Sequence, residues 1–107
     1  MNQRPGKIDA AGVRVETLPY DAPAGHFCFE RDDAGTVVGL RCGCPCGCGA
    51  HHGARFTGPG AWGWDGNVDK PTVTGSFGMY PSFRNESTRD GKYHWHGHLV
   101  AGDWVEC

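Results

Sequence analysis

Cys42-Gly-Cys44-Pro-Cys46-Gly-Cys48-Gly49 is the stretch that decides the expected fold, because it holds four of the six cysteines of the chain. Cysteines two positions apart rarely reach the separation and direction of Cβ atoms that a disulfide needs. A soft divalent ion, by contrast, is bound by several thiolates that converge on one point, and small residues between them let the backbone turn around it. The stretch therefore predicts a metal-thiolate site, with Zn2+ as the ion.

Length and composition indicate what such a site would do for the fold. The chain has 107 residues, and its 18 glycines and 7 prolines favour short strands joined by tight turns. A chain of this size buries only a small core, so a metal would add needed stability. We expect an all-β fold, a small antiparallel sheet or sandwich stapled by a Cys-rich zinc site, with little or no helix. Residues 1–11 are expected to form a flexible N-terminal arm and residues 12–107 a single zinc-binding β domain.

Alternating apolar and polar residues predict where the strands lie. The predicted strands cover residues 13–17, 26–31, 36–42, 71–77, 93–100 and 103–106, with a hairpin turn at 32–35. No run of ten residues shows helical periodicity. At least two of the four tryptophans are expected to lie in the core, as is usual in a domain of this size.

His94-Trp95-His96-Gly97-His98-Leu99 holds a second group of possible metal ligands. Successive side chains of a strand point to opposite faces, so the three imidazoles would share one polar face, and Trp95, Gly97 and Leu99 would pack on the other. We expect at least one of them to complete a tetrahedral site with the thiolates. Alternatively, His94, His96 and His98 would together hold a separate catalytic metal. The chain lacks the sequence motifs of the common zinc hydrolases and zinc deaminases. Cys28 and Cys107 are conceivable nucleophiles, but no base is identifiable for either.

The charge of the chain and its lack of long apolar runs argue against two classes of partner. A formal net charge of −2 gives no basic surplus to neutralise phosphates, so nucleic-acid binding is not expected. No apolar run approaches the roughly 20 residues that span a bilayer, and the N-terminus lacks the apolar segment of a secretory signal. We expect no membrane association and a cytosolic site of synthesis, where clustered thiols are more often metal ligands than disulfides.

Five motifs in order resemble a known family. They are Cys44-Pro-Cys46-Gly-Cys48-Gly49, Trp62-x-Trp64-Asp65-Gly66, Lys70-Pro71-Thr72-Val73, Pro81-Ser82 and Trp95-His96-Gly97-x-Leu99-x-x-Gly102-x-Trp104. In this order they resemble a family of small bacteriophage and prophage zinc-binding proteins of unknown function, some of which carry the label ammonia monooxygenase. The resemblance covers residues 26–107 and implies a compact zinc-binding β domain.

The resemblance also implies a set of metal ligands, namely Cys44, Cys46, Cys48 and His96. That family often has a further cysteine three residues before the histidine, where this chain has Tyr93. The missing ligand leaves open whether Cys42, His94, His98 or Cys107 takes its place. The Thr-x-Pro-Ser segment of the family is altered at residues 72–76, and we expect this change to reshape a turn and not the site.

The expected function follows from a zinc site in which protein ligands occupy every position around the ion. Zinc held by thiolates has no redox chemistry and no vacant position, so the monooxygenase label is unsupported. We expect a non-enzymatic, phage-encoded structural protein, either a head or tail component of the virion or an accessory protein. Its expected partners are other virion proteins, and a homo-oligomer within a symmetric assembly is compatible with this role. The alternatives are an intracellular adaptor that binds a host or phage protein, and a metalloenzyme using His94, His96 and His98. The expected locations are the cytoplasm of the bacterial host and the virion.

Overall fold

The fold consists of eight strands, seen in a computed structural model that describes residues 9–47, 49–79 and 95–106. The described residues contain no helix, so the all-β prediction is confirmed. The strands are β1 (Ala10–Ala11), β2 (Val13–Arg14), β3 (His26–Arg31), β4 (Val37–Gly43), β5 (His51–Arg55), β6 (Val73–Met79), β7 (Trp95–Val100) and β8 (Asp103–Glu106).

The strands form two four-stranded sheets. The first sheet has the order β1-β8-β7-β6, and the second has the order β2-β3-β4-β5. All pairings are antiparallel except that of β2 with β3, which is parallel. The chain passes from the first sheet to the second at Gly12, between β1 and β2, where a Cβ would collide with the carbonyl of Gly102. Of the two predicted forms, a single antiparallel sheet or a sandwich, the structure has the second, a pair of sheets, one of them mixed.

One hydrophobic core lies between the two sheets. The second sheet contributes Phe27 and Leu40, and the first contributes Trp95, Leu99 and Trp104, all at most 1% exposed. Their burial follows from strand alternation, because residues two apart share a face. The remaining tryptophans, at 62 and 64, are half-buried against this core. The expectation that at least two tryptophans lie in the core is met.

A short irregular segment, residues 61–64, closes one side between the sheets. The N–H of Trp62 donates to the carbonyl of Arg55 on β5 at 2.8 Å. The N–H of Thr74 on β6 donates to the carbonyl of Gly63 at 2.9 Å, and Trp64 forms a bridge with Val73. The segment is therefore bonded to an edge strand of each sheet, and it places Trp62 between them.

Several predicted boundaries can be compared with the observed ones. The hairpin turn at 32–35 is present, with the Asp32 carboxylate accepting hydrogen bonds from the N–H groups of Ala34 and Thr36 at 2.9 Å each. The predicted first strand at 13–17 is shorter, ending at Arg14. Ala10 and Ala11, at the end of the predicted arm, pair with β8, while residues 1–8 lie outside the described residues. In the described part of the chain, no helix is long and apolar enough to cross a bilayer.

Candidate active site

A bulge in β6 is the main irregularity of the first sheet. Val73 pairs with Leu99, but the next pair along the ladder is Phe77 with Gly97. Three residues of β6, 74–76, therefore lie opposite the single residue His98. Bulges of this kind redirect side chains and are common beside active sites.

Glycine at position 75 makes this bulge possible. Its φ of +104° lies in a region that residues with a Cβ rarely adopt. A Cβ there would also lie 3.2–3.5 Å from three ring atoms of Trp62. Both the backbone angle and the packing of Trp62 thus favour glycine immediately before Ser76.

Ser76 and His96 form the polar contact at the centre of the candidate site. Ser76 is exposed, and its Oγ lies 3.0 Å from Nε2 of His96. His96 is half-buried on the outer face of β7, because its neighbours Trp95 and Gly97 point into the core. When the ring proton is on Nδ1, the serine hydroxyl donates to Nε2. In this arrangement an imidazole can take the proton of a serine that acts as a nucleophile.

Anchored residues hold Ser76 from both sides. On one side, Thr74 makes two hydrogen bonds to Gly63, one through its N–H and one in which its Oγ1 accepts from the Gly63 N–H, each at 2.9 Å. On the other side, Phe77 is buried, with its ring centroid 4.7 Å from that of Trp62 and 5.1 Å from that of Trp104. A nucleophile set between two fixed residues is positioned before any substrate binds.

The cysteine-rich turn between β4 and β5 brings two thiols together. Cys44 is buried and Cys46 half-buried, and their Sγ atoms lie 3.3 Å apart. The turn is closed by a hydrogen bond from Gly47 N–H to the Cys44 carbonyl and another from Cys44 N–H to the Ala50 carbonyl, both 2.9 Å long. Among the described residues no three His, Cys, Asp or Glu side chains are grouped as a metal would need. Cys48, a third predicted ligand, lies outside them.

His96 is not grouped with these two thiols in the described residues. Its Nε2 instead contacts Ser76. Of the alternative ligands, His98 is half-buried on the same face of β7 as His96, whereas His94 and Cys107 lie outside the described residues. The zinc assignment, including its ligand set, stays a prediction.

Two further cysteines are buried away from the surface. Burial raises the pKa of the Cys42 thiol to about 12, because removal from water disfavours the thiolate. Burial also raises the pKa of the Cys28 thiol. A raised pKa lowers the fraction of reactive thiolate at neutral pH, so Cys28 lacks the property that a cysteine nucleophile needs.

The chain was compared with protein families, curated proteins and solved structures. The model of a family described as bacterial ubiquitination-like system serine protease (BubE) matches residues 14–107. No curated protein and no solved structure matches the chain.

This match corrects three expectations from the sequence and leaves two alternatives without support. The resemblance to a phage zinc-binding family is wrong as an identification, and so is the function of a phage-encoded virion component. The expectation of a non-enzymatic protein is contradicted, because the matching family is one of serine proteases. The adaptor and the metalloenzyme alternatives are likewise unsupported. Several described residues of these motifs lie in the cysteine-rich turn or in the core, whereas His96 contacts Ser76. Pro81 and Ser82 lie outside the described residues.

The expectations about partner and location survive only in part. A component of a ubiquitination-like system acts with other proteins, which agrees with the expected protein partner. Nothing in the match supports partners in a virion or a location there.

Ser76 is not among the site residues predicted from the sequence. The altered segment at 72–76 was expected to reshape a turn, whereas it lies at the start of β6 and carries the serine that contacts His96. The available signal was a serine after a glycine in one predicted strand, with a histidine in the next predicted strand. Such a pair cannot be read from spacing, since the members of a serine protease site meet in space and occur in different orders along different chains.

Proposed function

Because the chain belongs to the family of bacterial ubiquitination-like system serine proteases (BubE), we propose that it is a serine protease with Ser76 as the nucleophile and His96 as the general base. The observation that carries this proposal is the 3.0 Å contact between Ser76 Oγ and His96 Nε2. Catalytic serine and histidine side chains meet at this separation.

The proposed reaction has two steps at the same pair of atoms. Ser76 Oγ attacks the carbonyl carbon of the scissile bond while its proton passes to His96 Nε2. The imidazolium then gives that proton to the leaving amine, and an acyl ester on Ser76 remains. In the second step His96 takes a proton from a water molecule that attacks the ester, and it returns the proton to Ser76 Oγ as the acid product leaves.

The bulge offers donors for the negative charge that develops on the carbonyl oxygen. We assign this role to the backbone N–H groups of Gly75 and Ser76, which lie between the ladder pairs Val73–Leu99 and Phe77–Gly97. Preorganised N–H groups of this kind typically contribute about 100-fold or more to the rate. The positive φ of Gly75 is then part of the catalytic arrangement, because it sets the direction of both peptide groups.

The position of Ser76 suits a polypeptide substrate. It is exposed on β6, which is an edge strand of the first sheet, so an extended chain can approach the hydroxyl from solvent. The family description supports a substrate that belongs to a ubiquitination-like system. The partner proposed here is accordingly a protein, met in the bacterial cytoplasm.

We further propose a structural Zn2+ at the turn between β4 and β5, with Cys44, Cys46 and Cys48 among its ligands. Two of these thiols already converge to 3.3 Å, and thiolate donors in a closed site suit zinc. The ion would hold the turn together and would take no part in the hydrolysis. His96 is left out of this ligand set because the proposed catalytic role uses its Nε2.

Cleavage assays on the purified chain test the proposed protease. The chain is incubated with a mixture of unfolded proteins, and new termini are identified by mass spectrometry. We expect cleavage by the wild type and none by Ser76→Ala, provided that circular dichroism shows the same fold. Equal cleavage by the wild type and Ser76→Ala, or no cleavage by either, would refute the proposal.

A further inference from the structure

A cavity of about 390 Å³ lies at the edge of the second sheet. Its lining includes Glu30, Arg41, Gly53, Arg55, Gly60 and Trp62. The paired positions Arg41–Gly53 and Gly39–Arg55 place both arginines on the same face of the sheet, and both are exposed. Since Phe29 and Leu40 point into the core from the opposite face, the cavity opens to solvent on the outer face. Its size is within the range of sites that accept a side chain or a small ligand.

The charges in this cavity favour an anion. Arg41 and Arg55 supply two guanidinium groups, against the single carboxylate of Glu30. Glu30 lies 3.8 Å from the Arg41 guanidinium, and the structure describes no carboxylate paired with Arg55. Arg55 is oriented by a 2.9 Å hydrogen bond to the carbonyl of Pro59, which uses one of its five N–H donors. The remaining donors of Arg55 can bind a carboxylate through two parallel hydrogen bonds.

Trp62 connects this cavity with the candidate active site. One part of its ring packs over Gly75, the residue before Ser76, and the side chain also lines the cavity. The segment 61–64 that carries it is bonded to β5 on the cavity side and to β6 on the serine side. A substrate chain that passes around Trp62 therefore reaches both places.

From these observations we infer that the cavity is a specificity site, which binds an acidic side chain of the substrate polypeptide. This inference rests on the proposed protease function. Packed sheets lie about 10 Å apart, and Ser76 and Arg55 lie on the two outer faces, so the distance between them exceeds that spacing. Because an extended chain advances about 3.3 Å per residue, the acidic residue would lie at least about four positions from the cleaved bond. Trp62 forms the wall between the two subsites, and Arg55 is the main binding group for the carboxylate.

Matched peptides test this inference. The peptides contain one bond that the wild type cleaves and differ only by Glu or Gln at one position between the fourth and the seventh residue on either side of it. We expect the Glu peptide to have about tenfold higher kcat/KM at one of these positions, since charge-assisted hydrogen bonds are stronger than neutral ones. Arg55→Gln should abolish the preference, and Arg55→Glu should shift it towards a Lys peptide. The control is Arg31→Gln, an exposed arginine that bonds to the Gly35 carbonyl outside the cavity and should keep the preference.

The outcomes separate this inference from the proposed function. Ser76-dependent cleavage without a Glu preference, or a preference that survives in Arg55→Gln, would overturn the inference and leave the protease standing. If no cleavage depends on Ser76, the protease proposal fails. The binding of the two peptides to Ser76→Ala, measured by tryptophan fluorescence, then tests whether the cavity binds an acidic residue. Tighter binding of the Glu peptide, lost in Arg55→Gln, would support the cavity as an acidic-residue site, and equal binding of both peptides would overturn it.

Discussion

Ser76 and His96 are 20 positions apart in the chain, yet Ser76 Oγ lies 3.0 Å from His96 Nε2. Two features of the fold produce this contact. The antiparallel pairing of β6 and β7 brings the two segments side by side, and the bulge at 74–76 turns the serine towards the outer face, where His96 points. Core residues on both sides of the pair, Trp95 and Phe77, hold the two strands in place.

Replacing the proposed base should remove most of the activity without unfolding the chain. His96→Gln keeps a polar side chain at a half-buried position but cannot take the proton of Ser76. We expect kcat/KM to fall about 1,000-fold or more, with little change in the thermal midpoint. His98→Gln, on the same face of β7, is the matched control and should retain hydrolysis. Equal losses in the two variants would contradict the assignment of the base.

A Cβ at position 75 should disturb both stability and catalysis. Gly75→Ala must adopt a φ near +104° and push against the ring of Trp62, at a cost of about 1–3 kcal/mol in the free energy of unfolding. Because the same residue sets the direction of Ser76, kcat/KM should fall more than the loss of folded protein explains. Denaturant unfolding and peptide hydrolysis measure the two effects.

Gly35→Ala is the control for this prediction. Gly35 also has a positive φ, +85°, but beyond its chain neighbours no atom lies within 4 Å of the Cβ that alanine would add, so the substitution costs only the backbone strain. We expect a loss of about 1 kcal/mol in stability with full activity in the folded fraction. If Gly75→Ala behaved in the same way, the bulge would have no role in catalysis.

The proposed zinc site predicts a stability effect that depends on two particular cysteines. Cys44→Ser and Cys46→Ser should each reduce the zinc content, measured by elemental mass spectrometry, and lower the thermal midpoint. Cys28→Ser, a buried thiol on β3, should keep the zinc content of the wild type. A chain purified under metal-replete conditions that contains no zinc would contradict the site.

The raised pKa of the Cys28 thiol predicts that this cysteine reacts slowly. The direction follows from burial, because a thiol with a raised pKa is less ionised at a given pH than an exposed one. At pH 8 iodoacetamide should alkylate Cys28 in the folded chain much more slowly than in urea, and Cys28→Ser should leave hydrolysis unchanged. Fast alkylation of native Cys28 accompanied by loss of activity would instead indicate a cysteine nucleophile.

The local features of the fold could be predicted from the sequence. Alternation at 95–100 correctly placed Trp95 and Leu99 inside and His96 outside, and Asp32 with Gly35 correctly marked a hairpin turn. The bulge could not be predicted, because residues 71–77 form a plausible regular strand and register depends on the partner strand. The division into two sheets also depends on pairings between distant segments, such as β1 with β8.

The candidate active site was harder to predict than the fold for a related reason. A cysteine-rich turn is visible as a local pattern in the sequence, and this pattern predicted a metal site. The pair of Ser76 and His96 has no local pattern, since each residue alone is an ordinary polar residue of a strand. Only the strand pairing and the family match together support the role proposed for the serine.

Labelling with a fluorophosphonate probe tests the central claim most directly. The probe reacts when a serine hydroxyl activated by a base displaces fluoride from its phosphorus, so it reports the nucleophile without knowledge of the substrate. We predict one adduct per chain on the peptide that contains Ser76, absent in Ser76→Ala and strongly reduced in His96→Gln. An adduct at another residue, or no adduct on a folded wild-type chain, would contradict the assignment of Ser76 and His96 as the catalytic pair.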